Sequence, residues 1–136
     1  FGPRNEFFNT FAGNPVSAAV GQAVLEEMAE KELMERARDL GTEAKVRLEE
    51  YADRFDFIRT ARGAGMFLGL DFAVDGTPAP DLTKQVVEAM KAKHVVISRI
   101  GRDDNVLKVR PPLAFSAAEL PLLLDALGES LDEVEV

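Results

Sequence analysis

Between Tyr51 and Met66 the hydrophobic period of this chain changes, and that change limits the folds open to it. Upstream, Leu33, Ala37, Leu40, Ala44, Leu48, Tyr51 and Phe55 recur every three or four residues, the signature of one buried helix face. Gly41 interrupts that face at a cost of about 1 kcal/mol relative to alanine, tolerable in so long a pattern. Downstream, Met66, Leu68, Leu70, Phe72 and Val74 alternate, as in a half-buried strand. A chain that carries both periods must pack helices against a sheet.

The remaining segments fill in that plan. Asn14 and Pro15 predict a helix start, a side-chain cap followed by proline at the first turn. Val16, Val20, Val24 and Met28 then recur every four residues, with Ala19 and Ala23 beside them, and mark a face expected to be buried. "FDFIRTARGAGMFLGLDFAV" reads as two strands separated by a glycine-bearing bend. "DGTPAPD" is turn chemistry, and Asp81 is expected to cap a helix carrying Val86, Val87 and Met90. "VVISRI" and "NVLKVR" flank "GRDD" as a hairpin. "SAAE", Ser116 to Glu119, matches a capping box ahead of Leu120, Leu123, Leu124, Leu127 and Leu131. Pro121 conflicts with that start, so the last helix begins later or kinks. The acidic tail "GESLDEVEV" reads as a fraying helix end. The expected fold is α+β, a small mostly antiparallel sheet packed by helices, with residues 1–136 as one domain.

Composition narrows the function classes. With 46% hydrophobic and 29% charged residues the chain is ordinary globular material. No apolar run approaches the roughly 18 residues of a membrane span. A net charge of −8 disfavours nucleic acid and anionic membrane as partners. Cysteine is absent, which points to a reducing compartment, with the cytoplasm as the expectation. His94 is the lone histidine, so multi-histidine metal sites are excluded and no metal is expected.

Few stretches carry chemistry on their own. In "FNTFAGNP" the Thr10 hydroxyl and the amides of a helix start can together hold an anion such as phosphate. Equally, Asn9, Thr10 and Asn14 can merely cap and turn. Gly63, Gly65 and Gly69 lie one residue off a dinucleotide fingerprint and lead into a strand, so a sharp bend is the better reading. Asp71 and Asp75 have metal-type spacing without a third ligand, which leaves solvent or turn duty. His94, at a helix end, reads as a surface residue.

Three ordered segments resemble class III pyridoxal-phosphate aminotransferases of fold type I. "FFNTFAGNPVSAAVGQAVLEEM" is similar to the segment that opens their C-terminal small domain. "VRLEEYADRFDFIRTARGAGMFLGLDF" resembles their R-G-x-G turn and strand, and "NVLKVRPPLAFSAAELPLLLDAL" their twin-proline strand end and last helix. The resemblance implies that Thr10 hydrogen-bonds the phosphate of pyridoxal 5'-phosphate in the neighbouring subunit, and hence a homodimer. It also implies a missing N-terminal and large domain that carries the Schiff-base lysine, which agrees with a chain opening on Phe1 instead of methionine. None of Lys31, Lys45, Lys84, Lys91, Lys93 or Lys108 sits in the family's lysine context, so no catalytic residue is expected here and the chain alone should be inactive. The family often places an arginine three residues before the twin prolines to bind a substrate carboxylate; this chain has Lys108, with Arg99 and Arg110 as substitutes. All three are equally readable as exposed strand residues. The implied reaction moves an amino group from an amine or amino acid to a keto acid. "NVLKVRPP" is nearest the subgroup that includes ethanolamine-phosphate phospho-lyases, so elimination of phosphate from a phosphorylated amino alcohol is the alternative. A free-standing α+β interaction module without enzymatic role is the second.

Overall fold

The computed structural model describes Asn9, Thr10 and residues 13–135; residues 1–8, 11, 12 and 136 lie outside it, and with them the leader "FGPRNEF" and three of the eight residues of "FNTFAGNP". The elements run α1 (Pro15–Glu30), α2 (Leu33–Arg54), β1 (Ile58–Ala64), β2 (Phe67–Val74), β3 (Thr77–Pro78), α3 (Pro80–Ala92), β4 (Ser98–Ile100), β5 (Val106–Val109) and α4 (Leu120–Asp132). They group into two compact units, Phe1–Met34 and Glu35–Val136.

In the first unit, α1 starts as its sequence predicts. The Asn14 side chain accepts from the backbone N–H of Val16 at 2.9 Å and of Ser17 at 3.3 Å, with Pro15 leading the helix. Its valine face differs from expectation: α1 buries none of its residues, and Val16, Val20 and Val24 are exposed. A four-residue period identifies an apolar stripe but not what covers it.

The second unit is the α+β layer that the change of period predicts. Its sheet is antiparallel throughout, in the order β1-β2-β5-β4, with the two-residue β3 added beside β2. Leu40, Ala44, Leu48 and Tyr51 of α2, Leu82, Val86 and Met90 of α3, and Leu120, Leu124, Leu127 and Leu131 of α4 form one core with Leu68, Leu70 and Phe72 of β2 and Leu107 and Val109 of β5. Each fully buried leucine or phenylalanine contributes about 1.5–3 kcal/mol from removal of apolar surface.

Several details depart from the sequence reading. Strand β2 buries six of its eight residues: Leu68, Leu70 and Phe72 face the core, while Gly69, Asp71 and Ala73 on the other face are small or polar residues buried among their sheet neighbours. Its central place in the sheet is the reason. Asp81 does not cap α3: Ala79 holds that position, Pro80 leads the helix, and Asp81 falls in the first turn. The Ser116–Glu119 contact does form, with the Glu119 carboxylate accepting from both the Ser116 amide and hydroxyl at 2.7 Å. The α-helix begins only at Leu120, which puts Pro121 in the first turn where no donor is missed. The acidic tail is helical through Asp132 and leaves the helix over residues 133–135; Leu131 is buried, and Glu129 and Glu133 hold Lys93 beyond the end of α3 at 3.2 and 2.8 Å.

Two glycines mark forced approaches. A Cβ at Gly41 would lie 2.6 Å from the Gly65 Cα, so α2 touches the β1–β2 turn backbone to backbone. Gly63 has φ +130° and faces the backbone of Phe67 and Leu68, a conformation closed to other residues. The R-G-x-G stretch is thus the end of β1 and the first residue of its turn, where Gly65 packs against α2.

Candidate functional site

The sheet has two faces with different chemistry. Leu107 points into the core, and alternation sends Lys108 to the opposite face. Register pairs Lys108 with Ser98 on one side and with Gly69 on the other, and Gly69 with Arg62. Phe67, Asp71 and Val106 share this second face by the same alternation.

Lys108 is half-buried and also lines a concavity of about 320 Å³ together with Ser98, Arg110, Pro111, Pro112 and Phe115. Arg110 falls one residue beyond β5 and sets its guanidinium over the Phe67 ring, 5.7 Å from the centroid. The twin prolines end the strand because proline cannot extend the ladder. Beyond them, the Arg36 side chain of α2 donates to the Leu113 carbonyl at 3.0 Å and ties that loop down.

Arg99 is not part of this group. Its partner in register is Leu107, so it leaves from the core side, where it donates to the Pro80 carbonyl at 3.2 Å and lies 3.9 Å from Asp104. Of the three cations read as substrate-binding candidates, the structure brings together Lys108 and Arg110 and separates Arg99. Thr10 lies in the first unit, exposed, ahead of the α1 cap.

A buried polar cluster escaped the sequence reading. Asp71, 2% exposed, accepts from Asn105 Nδ2 at 2.7 Å and from Arg59 at 2.6 Å, with Arg62 at 3.8 Å. Asn105 donates also to the Phe72 carbonyl at 2.9 Å. Solvent duty for Asp71 is therefore corrected. A carboxylate buried at a strand centre must be satisfied internally, and these side chains do it. Asp75, by contrast, sits at φ +50° in the β2–β3 turn, as read. The polar residue at an otherwise apolar strand centre was the one local signal. Among the described residues no group of acidic residues and histidine could hold a metal ion, and no helix is long and apolar enough to cross a membrane.

The family model for aminotransferase class-III matches residues 3–131. The chain belongs to the class III aminotransferases. Alanine–glyoxylate aminotransferase 2 homolog 2, mitochondrial, of Arabidopsis thaliana is 33% identical over 134 residues, 96% of this chain and 28% of that protein. A solved phospholyase from Arthrobacter in complex with phosphoethanolamine is 46% identical with a TM-score of 0.90, over 96% of this chain and 32% of that one. A Bacillus anthracis aminotransferase is 26% identical with a TM-score of 0.83, over 96% and 31%. This class III chain therefore spans about a third of the length of the proteins it matches.

Proposed function

We propose that the chain is the C-terminal small domain of a longer pyridoxal-phosphate enzyme that moves an amino group from an amine or amino acid to a keto acid. The observation that carries this reading is the class III match across residues 3–131. The large domain with the cofactor-bearing lysine belongs to sequence outside residues 1–136, and the chain alone is inactive. Thr10 fits the role of a phosphate contact because its hydroxyl is exposed. The amides of Val16 and Ser17 do not fit it, since Asn14 already occupies them. Thr10 of one subunit then reaches the phosphate held by its partner, and the enzyme is a homodimer, of the cytoplasm on the composition argument. Bound pyridoxal phosphate supplies the electron sink. This chain's own residues bind and orient: Lys108 and Arg110 hold the anionic end of a substrate.

A second reading, elimination of phosphate from a phosphorylated amino alcohol, is favoured by one specific observation. Identity to the Arthrobacter phospholyase, 46%, exceeds that to the aminotransferases named above. Lys108 suits it, being a point charge without the planar fork that grips a carboxylate in two places. The full-length protein should be offered amino donors with pyruvate and, separately, phosphoethanolamine. Consumption of the keto acid supports transfer. Release of inorganic phosphate without keto-acid consumption rejects transfer in favour of elimination, and a protein that takes up no pyridoxal phosphate leaves the non-enzymatic module.

A further inference from the structure

We infer that Arg62 is a second anion-recognising residue, forming with Lys108 a two-cation clamp across Gly69 for a phosphomonoester dianion. The inference rests on the reading of this chain as part of a pyridoxal-phosphate enzyme and names the substrate group its open sheet face takes.

Four residues stand in one row across the sheet: Arg62 on β1, Gly69 on β2, Lys108 on β5 and Ser98 on β4, each in register with the next. Residues opposite one another in a sheet project from the same face. Two strand spacings separate the backbones of Arg62 and Lys108 by about 10 Å. Glycine between them leaves the floor bare. A Cβ at Gly69 would already stand 3.1 Å from Val106 Cγ1. Above this floor lies a concavity of about 270 Å³ with Arg62 at its rim and Phe67, Ile100 and Val106 in its wall. The arrangement is a small apolar hollow with Arg62 at its rim, while Lys108, two strands along the same row, lines the neighbouring concavity with Ser98 and Arg110.

Charge accounting points the same way. Asp71 is the carboxylate on this face, and it is already engaged: Arg59 takes one oxygen at 2.6 Å and Asn105 the other at 2.7 Å. Arg62 lies 3.8 Å from the oxygen that Arg59 holds, with its side chain 61% exposed. Among the described residues no carboxylate lies within 4 Å of Lys108 or Arg110. A chain of net charge −8 thus keeps three incompletely neutralised cations together on this face and its edge. Lys108, with no carboxylate in reach, and Arg62, 3.8 Å from an oxygen that Arg59 already holds, suit a dianion better than a monoanionic carboxylate. Forked guanidinium bonds to phosphate oxygens are the strong, charge-assisted kind.

The test uses the cofactor-loaded full-length protein, so that the cofactor's own phosphate is already accommodated. Phosphoethanolamine, inorganic phosphate and ethanolamine are titrated calorimetrically into wild type, Arg62→Gln, Arg62→Lys and Lys108→Gln. Arg62→Gln should weaken phosphoethanolamine and phosphate by about 10- to 100-fold and leave ethanolamine unchanged, with Arg62→Lys recovering part of the loss. Unaltered phosphate affinity in Arg62→Gln, an equal loss for ethanolamine, or a wild type that binds neither phosphate probe would overturn the inference. Unchanged cofactor absorbance in each variant excludes misfolding as the cause. The functional reading fails separately, through a wild-type protein that takes up no pyridoxal phosphate.

Discussion

Asp71 illustrates what a single side chain decides in this unit. Its carboxylate joins β1, through Arg59, to the start of β5, through Asn105, and Asn105 in turn donates to the Phe72 carbonyl. Truncating it leaves a buried amide short of its acceptor, and an unsatisfied buried polar group costs about 1–3 kcal/mol. Asp71→Ala should therefore lower stability by about that amount, while Asp75→Asn, which the left-handed turn conformation tolerates, should change it by less than about 0.5 kcal/mol. Urea midpoints of the two variants make the comparison. Sequence spacing gave the two aspartates equal standing. Only the fold separates them, because the partners of Asp71 lie 12 and 34 residues away along the chain.

At the level of elements, Gly41 gives a prediction whose sign discriminates. Helix propensity alone says that Gly41→Ala stabilises α2 by about 1 kcal/mol. The close approach to Gly65 says the opposite, since the new methyl would meet backbone that cannot swing aside. Overpacking of this kind typically costs about 1–3 kcal/mol, so Tm should fall, and thermal unfolding monitored by circular dichroism decides. The start of α4 supplies a pH test. The Ser116 hydroxyl, and after it the Ser116 amide, hold the Glu119 carboxyl below its ordinary value of 4.5. A depressed carboxylate contributes stability that is present above the ordinary value and lost as pH falls through the lowered one. The Tm difference between wild type and Ser116→Ala should thus be constant near neutrality and shrink below 4.5. Element order was legible because period and caps are local: the change from helix to strand spacing, Asn14–Pro15 and the "GRDD" hairpin all stand where read. The cap on α3 was misjudged because Pro80 already supplies a helix-ready backbone one residue before Asp81. At the candidate site, the twin prolines and Lys108 could be read from their motif. The separation of Arg99 could not, since it follows from register between β4 and β5.

For the whole molecule, the unresolved pairing is that of α1. Its valines repeat like a core face, yet Val16, Val20 and Val24 are 70%, 59% and 53% exposed, and Thr10 lies just ahead of them. Apolar stripes of this size mark an interaction surface, and on the proposed reading the surface belongs to a dimer in which Thr10 serves the partner's cofactor. That coupling separates two substitutions in the full-length protein. Thr10→Ala removes one charge-assisted bond to phosphate, so cofactor affinity should fall by about 1.5–3 kcal/mol with the dimer intact. Val20→Asp places a charge in the stripe, so dimer and cofactor should be lost together, because each subunit then lacks its neighbour's hydroxyl. Sedimentation velocity with absorbance at the cofactor band reads both quantities in one experiment. Cofactor fully retained by Thr10→Ala removes the residue from the site, and a dimer indifferent to Val20→Asp assigns the stripe to contacts within one subunit.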